Sequence, residues 1–360
     1  MTSTAAPDGA FQVTVAPSGR QFGVEAGETL LAAAIRQGIG LPYGCKDGAC
    51  GSCKCRKLEG TVQHGAHQSK ALSADEEEAG FMLTCCATAQ SDVVIESRQV
   101  TDESAFPVRK MPARVQSLQR LAHDVMALRL QLPANDTMRY HAGQYVEFIL
   151  RDGARRSYSM ANAPHLLVHT EGGVPSGPGI DLHIRHMPGG KFTDHVFGAM
   201  KEKDILRIEG PFGSFFLRED ARKPIVFLAS GTGFAPIKAI LEHMQFKAIE
   251  RPAVLYWGGR RPVDLYMDGW IREQCARMQN LRYVPVVSDA LPEDNWTGRT
   301  GFVHQAVLDD LPDLSGHEVY ACGAPIVVDS ARADFTARAG LPPDAFFADS
   351  FTSEADKQGG

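Results

Sequence analysis

Cys45, Cys50, Cys53 and Cys85 stand at the spacing C-x4-C-x2-C with a distant fourth cysteine, inside the strings CKDGACGSCKC and LTCCA. This is the plant-type spacing for a [2Fe–2S] cluster: a tight loop wraps three thiolates around the cluster and the fourth arrives from elsewhere. The chemistry it supports is single-electron transfer. Gly44, Gly48 and Gly51 suit such a loop, because glycine reaches positive φ without steric strain and lets backbone N–H groups approach the sulfurs. Zinc and disulfide readings fit less well. Structural zinc takes paired C-x2-C units or C-x2-C with histidines, and no second pair completes that pattern. Disulfide knots belong to short secreted chains, whereas this one has 360 residues and eight cysteines. Its opening MTSTAAPDGA shows neither a basic nor an apolar leader segment, so a reducing cytoplasm is the expected compartment.

Three further motifs bear on nucleotides. RSYS, from Arg156 to Ser159, sits on an expected strand. PGGKFT, from Pro188 to Thr193, joins the strand DLHIRHM to an expected helix at TDHVFGAM. A helix starting there offers backbone N–H groups at Gly190 and beyond to a phosphate, with the Thr193 hydroxyl as a further donor and Arg156 as a fixed positive charge. Tyr158 would set a flat ring beside a planar cofactor, or serve as core. LASGTGFAP, from Leu228 to Pro236, is a strand-to-helix turn; Gly231 and Gly233 let the chain approach a phosphate, Thr232 adds a donor and Pro236 suits the first helical turn.

These motifs need a scaffold. At 360 residues the chain has room for two or three domains, and 44% apolar residues can form a core in each. A net charge of −6 argues against a nucleic-acid binder, no apolar run approaches the roughly 20 residues of a membrane span, and no repeat of solenoid period is present. From Phe11, FQVTVAPSGRQFGVE reads as a β-hairpin, followed by a helix over ETLLAAAIRQ with Leu30, Leu31, Ala34 and Ile35 inward. DVVIESRQV reads as a closing strand, and Glu76, Glu77 and Glu78 as a solvated face. Residues 1–100 thus form a first domain and 101–112 a linker. Residues 113–220 read as an antiparallel barrel of short strands, with GGVPSGPG as a hairpin loop. Residues 221–360 alternate buried strands (IVFLA, AVLYW, LRYVPV, EVYAC) with helices over PIKAILEHM and PVDLYMDGWIREQC, the pattern of a parallel α/β domain.

In motif content and order the chain resembles the reductase components of bacterial multicomponent oxygenases and the CDP-6-deoxyglucoseene reductases, within the ferredoxin-NADP reductase superfamily. The resemblance spans nearly the whole chain. It implies a multidomain α+β and α/β protein: a β-grasp ferredoxin, an antiparallel six-stranded FAD-binding barrel and a five-stranded parallel nicotinamide-binding domain. By that likeness Arg156 meets the flavin pyrophosphate, Tyr158 the isoalloxazine region and Ser159 the flavin ring near N5, with Ser157 as a further cofactor-binding residue of the motif. Gly189, Gly190, Lys191 and Thr193 form the second phosphate motif. Gly231, Thr232, Gly233 and Pro236 form the nicotinamide-nucleotide loop, and YACGAP sets Cys322, Gly323 and Pro325 beside the nicotinamide. Trp257 to Arg260 and Asp264 to Tyr266 correspond to the segment that handles the adenosine half. Phe351 matches an aromatic that shields the flavin, or it anchors the terminus. Cys55, Cys86 and Cys275 are expected not to ligate, and Cys322 also suits a small buried hydrophobe.

Electron counting orders these parts. A nicotinamide gives two electrons as hydride while the cluster takes one at a time, so FAD stands between NADH and [2Fe–2S], and an external protein accepts the electrons. Ser159 and Cys322 are the expected residues at the hydride-transfer site, acting by position rather than acid–base chemistry. The acceptor is an oxygenase, a dehydratase-bound sugar intermediate or, without any protein partner, a ferric chelate or free flavin. Lys46, Lys54, Arg56 and Lys57 crowd the cluster loop and predict a basic docking rim. Arg260 and Arg261 leave NADPH open beside NADH. The N-terminal ferredoxin points to FAD rather than FMN by the same likeness.

Overall fold

The computed structural model describes residues 11–100, 106–135, 138–168, 170–171, 174–175 and 177–352. The chain divides into two compact units: one runs to Phe106 and takes in the residues from Asp349 onward, and the other is Pro107–Ala348.

In the first unit β1 (Phe11–Ala16) and β2 (Arg20–Val24) make the expected hairpin, antiparallel with Val13 opposite Phe22. Val13, Val15, Phe22 and Val24 alternate inward, as one buried face requires. Helix α1 (Leu30–Arg36) follows, its first turn capped by Thr29, whose Oγ1 accepts from the Ala32 N–H at 3.2 Å. Ala33 takes the inward place expected of Ile35, which is only half-buried. The remaining elements are β3 (Lys54–Glu59), β4 (Val62–His64), α2 (Ala74–Glu78), β5 (Phe81–Leu83), β6 (Ala87–Ala89) and β7 (Val93–Glu96). The strand expected to close the domain lies at the centre of its sheet. The order is β2-β1-β7-β3-β5, with β7 parallel to β1, and β4 and β6 pair separately. This is the β-grasp arrangement, with the cluster loop entering β3.

In the second unit β8 (Arg109–Ala122), β9 (Val125–Gln131), β10 (Tyr145–Ile149), β11 (Arg155–Ser159), β14 (Gly179–Arg185) and β15 (Ile205–Phe212) form one antiparallel sheet, ordered β11-β10-β15-β8-β9-β14. The short pair β12 (Thr170–Glu171) and β13 (Val174–Pro175) makes a hairpin before β14, so Val174 and Pro175, expected within the loop, pair as a strand instead. Leu182 of β14 pairs with Leu128 of β9 and also bridges Met160, just past β11, which closes the sheet into a barrel. Helix α3 (Lys191–Gly198) sends Phe192 and Val196 into its core. β8 begins at Arg109, inside the stretch expected to be linker, because Met111, Ala113 and Val115 already alternate into that core.

The rest of this unit is α/β: β16 (Ile225–Ser230), α4 (Phe234–Phe246), β17 (Ala253–Gly259), α5 (Asp268–Arg277), β18 (Leu281–Val287), β19 (Arg299–Thr300), α6 (Val303–Asp310), β20 (Glu318–Gly323), α7 (Pro325–Ala339) and the start of β21 (Phe346–Ser350), which runs two residues past the unit's end at Ala348. The sheet order is β19-β18-β17-β16-β20-β21, six strands where the likeness implies five. The two-residue β19 accounts for one edge. The helix expected from Pro262 is broken: Pro262–Asp264 is one 3-10 turn, and α5 starts only at Asp268. From β16 the chain moves to β17 on one side and later returns to β20 on the other, both parallel to it. Ligands of such sheets bind in the crevice at that switch point, beyond the carboxyl ends of the strands. Among the described residues no helix is long and apolar enough to cross a membrane.

Candidate redox and nucleotide sites

The cluster loop has no regular secondary structure, and left-handed residues set its path: Lys46 (φ 65°), Gly48 (φ 77°) and Gly51 (φ 70°). Gly48 is also sterically required, since a Cβ there would lie 2.7 Å from Cys86 Sγ and 2.9 Å from His67 Cβ. The loop therefore folds down onto the segment after Cys85, and the Gly48 carbonyl accepts from Gln68 N–H at 3.1 Å. The four predicted ligands come together as two pairs. Cys53 and Cys85 are buried with sulfurs 3.2 Å apart, while Cys45 and Cys50 are half-buried, the Cys45 N–H lying 3.4 Å from Cys50 Sγ. The Cys45 thiol also bonds to Cys50, which draws Cys50 toward its thiolate form. Among the described residues no three ligating side chains gather as a site for a single metal ion. Two thiol pairs, one within the glycine-shaped loop and one joining its Cys53 to Cys85 after β5, would hold the two irons of a [2Fe–2S] cluster. Cys55 is buried in β3, and Cys86 Sγ is 3.5 Å from Cys85 Sγ.

The acidic patch differs from expectation. Glu76 closes a capping box with Ser73 at the start of α2 and binds Lys54 Nζ at 2.6 Å, and Glu77 binds His67 Nε2 at 2.9 Å. Lys54 is thus neutralised at short range. Arg56 lies exposed on β3 while the adjacent Lys57 points to the opposite face of the sheet, so the four cations do not form one continuous rim.

On the barrel, β11 presents Arg156 and Tyr158 on one face and Ser157 and Ser159 on the other. Tyr158 packs against Phe148 and Phe192 with ring centroids 5.8 and 5.3 Å away, and Phe148 lies 4.3 Å from Phe192. This aromatic cluster brings RSYS beside the N-terminus of α3. Burial holds the Tyr158 phenol well above its ordinary value, so it remains neutral. Gly189 (φ 84°) and the N-cap Gly190 turn the chain into α3, whose first N–H groups have no partner within the helix. These donors and Arg156 fit a pyrophosphate. The Thr193 hydroxyl does not point outward as expected, because it donates to the Met187 carbonyl at 2.9 Å and so closes the turn. Lys191 is exposed and pairs with Asp152 at 2.7 Å. Ser159 is buried at the end of β11.

At the switch point Gly231–Gly233 form a single 3-10 turn between β16 and α4, and Pro236 falls in the first turn of that helix. A Cβ on Gly233 would stand 2.1 Å from the Cys322 carbonyl oxygen, so glycine alone allows the two strand ends to meet. Gly323 (φ 131°) faces Ser230, whose Oγ accepts from Ala324 N–H at 2.8 Å. The GTG and CGAP motifs are therefore one construction. Cys322 is fully buried. Thr232 is half-buried on this turn, and Trp257 Nε1 donates to the Gly231 carbonyl at 3.1 Å. In the loop after β17, Asp264 Oδ2 accepts from the N–H groups of Arg260 and Arg261 at 2.8 and 3.0 Å. The Arg261 side chain is held by Asp294 at 2.5 and 2.6 Å.

Barrel residues also reach this loop. Arg185 of β14 lies against Gly231, where a Cβ would be 2.7 Å from Nη1; Asp124 is 3.0 Å from its Nε, and its Nη2 is buried without a hydrogen bond. His183 Nδ1 is 2.9 Å from the Tyr266 hydroxyl, and burial with the nearby Lys238 charge pushes the imidazole down to about 3. None of these carried a spacing signal, since each is a single polar residue on an otherwise ordinary strand or helix. Phe351 follows β21, half-buried, in the first unit.

Three family models divide the chain in the same order. Residues 13–90 match the 2Fe-2S iron-sulfur cluster binding domain, 112–217 the oxidoreductase FAD-binding domain and 227–333 the oxidoreductase NAD-binding domain. The CDP-6-deoxy-L-threo-D-glycero-4-hexulose-3-dehydrase reductase of Yersinia pestis is 40% identical over 341 residues, 95% of this chain and 98% of that protein. The chain belongs to the iron–sulfur flavoprotein reductases. A terephthalate 1,2-dioxygenase reductase component of Comamonas sp is 35% identical over 95% of this chain and 97% of its own length. A solved structure of a cytochrome P450 reductase from Amycolatopsis superposes with a TM-score of 0.74 at 33% identity, covering 95% of this chain and 99% of that one. As a reductase of this family the protein is an oxidoreductase that carries electrons from NADH by way of FAD and a [2Fe–2S] cluster to a partner. The cofactors supply hydride acceptance at the flavin and one-electron storage at the cluster.

Proposed function

We propose that this reductase serves a separate protein that consumes electrons one at a time, either an oxygenase or a sugar dehydratase. The observation that carries this reading is the pairing of the four cysteines, with Cys45 and Cys50 on the half-buried side of the loop and Cys53 and Cys85 inside. Electrons leaving toward a partner exit beside Cys45 and Cys50. In the second unit Arg156 and the first turn of α3 hold the flavin pyrophosphate, and Tyr158 and Ser159 set the ring. The Gly231–Gly233 turn and the Cys322–Gly323 peptide place the nicotinamide, and Arg185 meets the nucleotide's phosphates. Working domain limits are 1–100 for the ferredoxin, 109–220 for the barrel, whose first strand starts at Arg109, and from 221 for the nicotinamide-binding part.

The relatives at 40% and 35% identity serve a dehydrase and a dioxygenase, so the acceptor assay should offer both classes. The test of the electron path is an anaerobic NADH titration that follows flavin and iron–sulfur absorbance together. Uptake of about three electrons per chain, two at FAD and one at the cluster, is expected. Bleaching of the flavin alone would instead mark a partner-independent flavin or ferric reductase.

A further inference from the structure

Helix α4 begins in the nucleotide loop, and one turn along it Lys238 and Glu242 face the barrel. Both are nearly buried, with side chains 11% and 13% exposed. Lys238 Nζ donates to the Ala161 carbonyl at 2.9 Å and to Glu242 Oε1 at 2.5 Å. Glu242 Oε2 accepts from the Ala163 N–H at 3.0 Å. The pair therefore grips one carbonyl and one N–H of the peptide that leaves RSYS, two and four residues beyond Ser159.

That peptide is equally fixed on its own side. Ala161 N–H donates to the Asp181 carbonyl at 2.7 Å, and the fully buried Asn162 takes Asp181 N–H at 2.8 Å and the Tyr140 hydroxyl at 2.9 Å. The other end of the linkage is also held, because Phe234, at the start of α4, stacks on Trp257 at 4.0 Å while Trp257 binds the Gly231 carbonyl. Helix α4 thus links the held Gly231 turn at its start to the gripped peptide that follows Ser159.

A buried ion pair is poor value as a stabiliser, since desolvation cancels most of the attraction and an apolar pair of similar volume holds a core as well or better. It does fix direction, because both hydrogen bonds demand one register. We infer that Lys238 and Glu242 are positioning residues that set the nucleotide loop against the flavin-binding strand, and so set the distance over which hydride passes. The inference rests on the roles proposed above for RSYS and the Gly231–Gly233 turn. A misplacement near 1 Å at such a site slows reaction by about a hundredfold.

The test compares K238M/E242L, which keeps volume but removes both grips, with K238Q/E242Q, which keeps a donor and an acceptor without charge. For each holoprotein one measures FAD content, melting temperature, amide exchange at Ala163, NADH dissociation constant and the limiting rate of flavin reduction. We expect K238M/E242L to retain FAD and NADH affinity, to lose protection at Ala163, and to reduce its flavin at least about tenfold more slowly. K238Q/E242Q should stay within about threefold of the parent. A parental limiting rate in K238M/E242L overturns the inference and leaves the pair a packing feature. Should that variant fail to fold, K238R provides the check: its longer planar fork must displace Ala161, and a parental rate there overturns the inference equally. Failure of the parent protein itself to reduce FAD with NADH would strike the underlying functional reading instead.

Discussion

At the scale of single residues the nucleotide site is decided by which charges are already spoken for. The loop after β17 carries two arginines, and in the sequence they leave NADPH open. In the structure Asp294 holds Arg261 through two hydrogen bonds, with Glu293 at 3.7 Å. A 2′-phosphate that drew on Arg261 would have to break that pair, whereas NADH asks nothing of it. D294N should release Arg261 and raise kcat/KM for NADPH about tenfold, the worth of one charge-assisted hydrogen bond of roughly 1.5 kcal/mol, with NADH changed less than twofold. R261Q/D294N should lose the gain; steady-state kinetics with both nucleotides checks the set, and an unchanged NADPH value in D294N refutes the assignment. The four cysteines stood out by spacing alone, and the structure pairs Cys45 with Cys50 and Cys53 with Cys85. Asp294 was not, because its partner lies 33 positions away in sequence and no motif links them.

At the scale of elements β14 matters most, since it lines the barrel core and also meets the nucleotide loop. His183 on this strand is held neutral by burial and by the Lys238 charge, at about 3 against an ordinary value of 6.5. Between those two values the unfolded chain binds the extra proton and the native protein does not. Stability must therefore fall as pH drops from about 6.5 toward 3, by about 1.4 kcal/mol per pH unit from this group. Urea unfolding at pH 7 and pH 5 should show the loss in the parent and a shallower loss in H183Q; equal slopes would exclude His183 as the source. Most of the strands could be read from alternation, including all six of the barrel sheet. β7 could not be placed, because alternation marks a strand but not its neighbours, and only the parallel pairing with β1 puts it at the sheet centre. The run from Pro262 to Cys275 looked helical throughout, yet the 3-10 turn at Pro262–Asp264 uses Asp264 to bind two backbone N–H groups, which stops the helix from starting there.

At the scale of the whole molecule the question is how a chain with a net charge of −6 meets its acceptor. Steering depends on charges that remain uncancelled at the exit point, and their reach is set by the Debye length, about 10 Å at 0.1 M salt. Lys54 contributes little to such a field because Glu76 sits 2.6 Å from it. Arg56 is exposed on β3, the strand that follows the cluster loop, so it is the cation that would guide an acidic partner. R56E is expected to slow acceptor reduction by about threefold at low ionic strength, with the difference fading above roughly 0.3 M salt. K54M should leave acceptor reduction within about twofold, and neither change should alter flavin reduction by NADH. Stopped-flow traces that follow flavin and acceptor separately distinguish these outcomes. Equal acceptor rates for the parent and R56E at low salt would mean that recognition rests on shape and apolar contact around the cluster loop instead of on charge.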